Sequence, residues 1–289
     1  MTKIVFFGTE EFSAPTLREL VKRGHDIATV VTKPDTPRGR GRKIESPLVK
    51  EIADSQNIPV IQPNRIIEVL TELQQFDAKI GILISYGKIV PQAVIDVFPR
   101  GIINVHPSLL PKYRGPSPIE TAIANGDHET GISIMSVTLA MDSGPVYIQK
   151  KVPLRGTETK LELYDRFSTL GAELLCDNLP RILSGEIVAE PQDDSAATYC
   201  QLLTRADGQL DPTTMTADEC ERKVRAYLGW PRTRLSFLGR EIIVTQAHIE
   251  EHESEHGVQC ADDRWLVIDE LIAPSGKQMK TADYLRGLK

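Results

Sequence analysis

Cysteine is scarce in this chain and scattered where it occurs. Its four cysteines, Cys176, Cys200, Cys220 and Cys260, form no C-x-x-C pair. That spacing suits neither a zinc site nor, in a chain of 289 residues, a disulfide framework. A reducing cytosol is the expected setting. Long apolar runs are also missing. No stretch approaches the roughly 18 apolar residues of a membrane span. Residues 1–7, MTKIVFF, lack the apolar core and small-residue cleavage site of a signal peptide. The turn Phe7-Gly8-Thr9 lacks the further glycines that a dinucleotide pyrophosphate needs, which disfavours a nicotinamide enzyme. Positive charge is in deficit: 34 Lys+Arg stand against 40 Asp+Glu, a net of −6. General affinity for nucleic acid is therefore not expected, although a local basic patch depends only on where the charges sit.

What is present is an alternation. Apolar strands are predicted over 3–7, 25–32, 78–84 and 102–105, with a short one near 59–61. Helices with apolar stripes are predicted around 17–21 and over 46–56 and 66–75. Strands that are apolar throughout, separated by helices, predict an α/β fold: an open, mostly parallel sheet covered on both faces. Two further strands are expected over 131–138 and 146–152, joined by the loop Ala140-Met141-Asp142-Ser143-Gly144-Pro145, and a long helix over 158–182. A polar, proline-containing stretch, 186–204, reads as a linker. Residues 205–289 carry one helix, 216–228, and several short β-rich runs, which predicts a small β-rich, barrel-like domain. The expected organisation is a catalytic domain over 1–185, the linker, and a second domain over 205–289. No repeat or low-complexity tract interrupts it.

Chemistry concentrates where residues 104–119 read NVHPSLLPKYRGPSPI. Four prolines follow the strand, a density that no helix interior or central strand accommodates. Asn104 and His106 are two apart at the strand end, so their side chains share a face at the carboxyl edge, where open α/β sheets bind ligands. An amide and an imidazole there can polarise a carbonyl and hold an oxyanion. The same pair also reads as a strand-capping asparagine beside a solvated histidine. Asp142 can orient the imidazole or accept a proton from an attacking amine, and by itself it also reads as a turn residue before Ser-Gly-Pro. The segment 85–91, SYGKIVP, can wall a flat ligand. Finally, 37–43 reads PRGRGRK: Arg38, Arg40, Arg42 and Lys43 spaced by glycines. Such a run is commonly a solvated loop, but its glycines also allow the backbone to mould onto phosphates.

In order and spacing over nearly the whole chain, these stretches resemble the methionyl-tRNA formyltransferase family. The resemblance runs through FFGTEEFS, PDTPRGRGRK, SPLVKEIA, ISYGKIVP, INVHPSLLPKYRGPSPI, TGISIM, MDSGP, RAYLGWP and SGKQMKTADYLRG. It implies a Rossmann-like formyltransferase fold with Asn104, His106 and Asp142 as catalytic residues. It implies 10-formyltetrahydrofolate as formyl donor, with no metal. The donor would lie against Ser85, Tyr86, Gly87, Ile89 and Val90, and against Ser108, Leu109, Leu110 and Pro111. Arg38, Arg40, Arg42 and Lys43 would engage the acceptor stem of initiator methionyl-tRNA. The expected protein is cytoplasmic, monomeric and free of membrane. Lys112-Tyr113 and Pro116-Ser117 depart from the Arg-Trp and Ala-Ala common in the family. Residues 205–289 hold 12 Lys+Arg against 15 Asp+Glu, a net of −3, in a domain that the family uses beside tRNA.

Two rival readings differ in kind. An amino-sugar formyltransferase, acting on a sugar nucleotide with the same donor, accounts for the first domain but leaves the basic loop and RAYLGWP without a role. A non-catalytic RNA-binding protein on a decayed enzyme leaves the intact Asn104, His106 and Asp142 without one.

Overall fold

The computed structural model describes residues 2–38 and 43–288. The chain divides into two compact units, one made of residues 1–114, 131–152 and 164–199, the other of 115–130, 153–163 and 200–289. The second unit thus takes in 115–130 and 153–163, which lie within the 1–185 expected for the first domain.

In chain order come β1 (Lys3–Gly8), α1 (Ala14–Lys22), β2 (Asp26–Val31), a hairpin of β3 (Thr36–Arg38) and β4 (Lys43–Glu45), α2 (Leu48–Ser55) and β5 (Val60–Ile61). There follow α3 (Leu70–Gln75), β6 (Ile80–Ile84), α4 (Gln92–Ile95), β7 (Ile102–His106), α5 (Pro118–Asn125), β8 (Glu129–Ser136), β9 (Val146–Pro153) and α6 (Lys160–Ser184). The main sheet has the order β5-β2-β1-β6-β7-β8-β9. Pairings from β5 through β7 are parallel, and β8 runs antiparallel to β7. Strands β1, β6 and β7 read KIVFFG, IGILI and IINVH and are almost entirely buried, as central parallel strands between two layers must be. The chain steps outward from β1 to β2 and β5, then returns to β6 on the other side of β1. The carboxyl ends of β1 and β6 therefore flank the point where strand order reverses, the place at which such sheets hold ligands.

Packing fixes β7 in this frame. Gly171 of α6 lies so close behind it that a Cβ there would stand 2.7 Å from Val105 Cγ1. Val105 thus faces the helix, which leaves Asn104 and His106 on the opposite face. Phe7 anchors the other side of the sheet, its ring edge-on to Tyr86 and to Phe98 at 5.9 Å. The predicted helix over 66–75 is a 3₁₀ turn, Ile66–Val69, running into α3. The hairpin β3–β4 flanks the basic segment that the sequence suggests is a plain loop. Its strands have three residues each, too few for an alternating pattern to register.

In the second unit, α7 (Ala217–Ala226) precedes β10 (Thr233–Phe237), β11 (Arg240–Glu250), β12 (Gly257–Gln259), β13 (Trp265–Ile272), β14 (Gln278–Lys280) and α8 (Thr281–Arg286). All strand pairings here are antiparallel. Thr216 caps α7, its Oγ1 accepting from Glu219 N at 3.2 Å while the Glu219 carboxylate accepts from Thr216 N at 2.8 Å. Ala217, Cys220 and Val224 recur on one face of α7 and bury against Leu235, Phe237, Ile242, Val244, Leu266 and Leu271. The expected β-rich second body is present. Among the described residues, no helix is long and apolar enough to cross a membrane.

Candidate active site

The carboxyl edge of β7 carries two buried polar side chains, Asn104 and His106. Strand register places Asn104 beside Leu83 of β6 and Met135 of β8, and His106 beside Ser133 of β8. Burying an amide and an imidazole is costly unless each is hydrogen-bonded. The histidine's partners are specific. Its Nε2 lies 3.0 Å from the carbonyl oxygen of Tyr113. A carbonyl only accepts, so Nε2 carries the hydrogen. Nδ1 then points to Asp142, whose Oδ2 is 3.8 Å away. That is ion-pair range but longer than a hydrogen bond.

Asp142 reaches this position by folding back. The loop leaves β8 beyond Ser136, which pairs with Ile103, three residues and so about 10 Å before His106. Asp142 itself takes φ = 50°, the left-handed region. Several bonds hold the loop: Ser136 N donates to Pro145 O at 2.8 Å, and the Gln192 side chain donates to the carbonyls of Asp142 and Gly144 at 2.8 and 2.7 Å. Gly144 has no room for a side chain, since a Cβ there would collide with the backbone oxygen of Ser136.

The proline-rich loop is fastened from beneath. Ser133 Oγ donates to Ser108 O at 2.7 Å and accepts from Leu110 N at 3.1 Å. Gln149 donates to Leu110 O at 2.8 Å, and Ser108 Oγ to Lys112 O at 2.6 Å. Ser108 and Leu110 are buried, whereas Leu109 and Pro111 are half-buried. The first two therefore shape the loop from inside, whereas Leu109 and Pro111 stay partly open.

The segment after β6 divides in the same way. Ser85 and Gly87 have positive φ, and their turn is pinned to β1 through Glu10 N to Ser85 O at 3.3 Å and Thr9 Oγ1 to Tyr86 O at 3.2 Å. Tyr86, expected against the donor, is wholly buried beside Phe7, and Val90 is buried as well. Burial pushes the Tyr86 phenol up to about 12. Tyr86 therefore offers no open surface, while Ile89 is 81% exposed and offers an apolar one. Nearby Lys88 donates to the carbonyls of Pro63 and Asn64; burial and then the neighbouring Lys33 ammonium push its pKa down.

The basic segment lies mostly outside the described residues. Arg40 and Arg42 fall there, and only the backbones of Arg38 and Lys43 are described, paired across β3 and β4. The hairpin base is braced by Asp35, which accepts from Gln62 and Lys50 at 2.7 Å each; these bonds hold its carboxyl below the usual range. Among the described residues no three His, Cys, Asp or Glu gather as metal ligands would.

The structure thus brings together Asn104, His106 and Asp142, with the 85–90 and 107–111 segments on the neighbouring strand ends. Residues that sequence patterns do not single out complete the site: Tyr113 through its carbonyl, Ser133, Gln149 and Gln192. Their roles arise from tertiary hydrogen bonds that leave no spacing signature.

Comparison with known proteins bears on the family and the fold. The family described as formyl transferase matches residues 2–179, and its C-terminal domain matches residues 202–289. The methionyl-tRNA formyltransferase of Citrifermentans bemidjiense is 37% identical over 300 residues, covering 99% of this chain and 94% of that protein. The corresponding Geobacter sulfurreducens protein is 34% identical, with the same coverage. Among solved structures, an N-formyltransferase from Helicobacter canadensis, in complex with folinic acid and dTDP-3-aminofucose, superposes with a TM-score of 0.72 at 19% identity, covering 93% of this chain and 99% of its own. The methionyl-tRNA formyltransferase of Clostridium thermocellum gives 0.63 at 16% identity, covering 97% and 100%. At such identities the structures speak for the fold. The full-length sequence matches go further, and this chain belongs to the methionyl-tRNA formyltransferase family.

Proposed function

We propose that this chain transfers a formyl group from 10-formyltetrahydrofolate to the α-amine of methionine esterified on initiator tRNA. The observation that carries the reading is the convergence of Asn104, His106 and Asp142 on one face of the sheet's carboxyl edge. The full-length relatives support the choice of acceptor.

In the reaction, the neutral amine attacks the formyl carbon; a C–N bond forms and the carbonyl becomes a tetrahedral oxyanion. Asn104 donates its amide N–H to that oxygen. His106, with Nε2–H fixed on Tyr113, presents Nδ1 to the same centre and in its protonated form donates from there. Asp142 takes the proton lost by the attacking amine, directly or through one water. Collapse of the oxyanion breaks the bond to N10 of the folate; N10 takes up the proton that Asp142 received, and tetrahydrofolate leaves. Ile89, Leu109 and Pro111 supply the exposed or half-buried apolar surface against a flat pterin, and Gly87 and Ser85 the backbone beside it. Arg38, Arg40, Arg42 and Lys43 contact acceptor-stem phosphates. Residues 1–185 serve as the catalytic domain, 186–204 as linker and 205–289 as the tRNA-side domain of a cytoplasmic monomer.

The deciding assay incubates the protein with 10-formyltetrahydrofolate and charged initiator or elongator methionyl-tRNA, then analyses the products. Formylation of the initiator form is expected. Formylation of an amino-sugar nucleotide with no reaction on methionyl-tRNA would replace this reading with the sugar one.

A further inference from the structure

We propose that Gln192 is a positioning residue for the reaction: it sets the distance between His106 and Asp142 by tying together the two loops that face the imidazole. The proposal rests on the reading that His106 and Asp142 perform the chemistry. His106 is held between a carbonyl on one loop and a carboxylate on another. Tyr113 O lies on Nε2 and Asp142 Oδ2 faces Nδ1. These loops belong to different connections, one following β7 and the other following β8. Gln192 joins the two near their tips.

Gln192 lies beyond α6, in the segment that reads as linker, and touches both. Its Nε2 donates to Asp142 O at 2.8 Å and to Gly144 O at 2.7 Å, using both amide hydrogens. Its Oε1 accepts from Arg114 Nε at 3.0 Å. Carbonyls only accept and a guanidinium only donates, so one orientation of this amide satisfies all three contacts. Arg114 directly follows Tyr113 and is buried, with its other nitrogens on Asp194 Oδ1 at 2.7 Å and the Tyr199 hydroxyl at 3.3 Å. The same segment grips the Tyr113 side again. Tyr113 N donates to Thr198 Oγ1 and Arg114 N to Thr198 O, both at 2.9 Å. Residues 192–199 therefore form a strap across the site, and Gln192 is its contact to the aspartate loop. Asp142 sits in a left-handed conformation that a residue with a Cβ adopts reluctantly, and the bond from Gln192 to its carbonyl restrains it there.

Two variants test this in the full chain. Gln192→Ala removes all three contacts. Gln192→Glu keeps an acceptor for Arg114 but has no hydrogens for the two carbonyls, so it carries the test where the alanine variant folds poorly. Both should lower kcat by about 10- to 100-fold, the scale of misplacing a reacting group by around 1 Å, with KM for tRNA and folate nearly unchanged. The discriminating measurement repeats Gln192→Glu in an Asp142→Asn background. A residue acting through Asp142 should then cost little more, because groups that act as a unit are not additive. Wild-type kcat in both Gln192 variants, or the same fold-loss in both backgrounds, overturns the proposal and leaves the catalytic reading standing. Wild-type kcat in Asp142→Asn alone overturns the catalytic reading, and this proposal with it.

Discussion

The sheet edge of the first unit and the 205–289 part of the second place their polar residues differently. At the carboxyl edge of the main sheet the first unit buries Asn104, His106, Ser108, Arg114 and Ser133 close together, with hydrogen bonds placed around most of them. The 205–289 part of the second unit instead surrounds an apolar core with surface ion pairs, Arg264 with Asp218 and Asp262, and His248 with Asp269 and Glu250. Buried polar groups cost stability unless fully partnered, whereas exposed ion pairs contribute little either way. A fold retains the former arrangement where chemistry needs groups in fixed positions away from bulk water. The contrast is what the proposed reaction requires of the first unit.

The largest test of this contrast is Asn104→Ala. Removing one oxyanion donor should lower kcat by roughly 10²–10³ with little change in substrate binding. Steady-state kinetics on methionyl-tRNA checks it, and an unchanged kcat would remove the distinction between the units. The next effect concerns binding. Replacing Arg38, Arg40, Arg42 and Lys43 by alanine should weaken tRNA binding, and each lost phosphate contact should flatten the slope of log affinity against log salt by about 0.9. Folate binding should be unaffected. An unaltered slope would shift tRNA binding to the second unit.

A smaller effect is expected inside the first unit, at a buried polar group without a bonded partner among the described residues. The Tyr86 hydroxyl is such a group. Tyr86→Phe should raise the melting temperature, by the equivalent of about 1 kcal/mol or somewhat more, because a buried hydroxyl lacking a bond is a cost. KM for the folate should not move, since the ring is inside the core. A raised KM would restore Tyr86 as a direct contact.

The smallest effect is at His248 on the second unit. Hydrogen bonds that its ring donates to the Asp269 carboxylate, then to that of Glu250, raise its pKa above the ordinary value of about 6.5. A raised histidine pKa stabilises the folded state fully below the unfolded value, and that contribution is lost as pH rises through the folded value. His248→Gln should therefore lower the melting temperature at pH 5.5 slightly, and by less at pH 9. With His248 about half exposed, the difference is reduced by solvent screening. An equal change at both pH values would contradict the assignment.

Much of the first unit is legible because its strands are apolar throughout. KIVFF, IGILI and IINV leave no alternative to a buried sheet, and the two-residue spacing of Asn104 and His106 puts them on one face. The brace around them is not legible. Gln192 stands in a polar, proline-containing stretch with the appearance of a linker, and its bond to Asp142 spans 50 residues. Ligand-facing positions are only partly legible, because the sequence does not show that the Tyr86 ring turns inward while Ile89 turns out. In the second unit, α7 and the long strands follow from their patterns, but three-residue strands such as β12 and β14 are too short to carry a period.

On the proposed mechanism, His106 and Asp142 act as one catalytic unit at the edge of β7. The most direct measurement is kcat on initiator methionyl-tRNA for His106→Ala, Asp142→Asn and the double variant, with folding verified by melting curves. The predicted result is a double variant no slower than a few-fold below the more damaged single variant, since removing either group already disables the pair. A double variant whose loss equals the product of the two single losses would show that the two residues act independently and contradict a shared role.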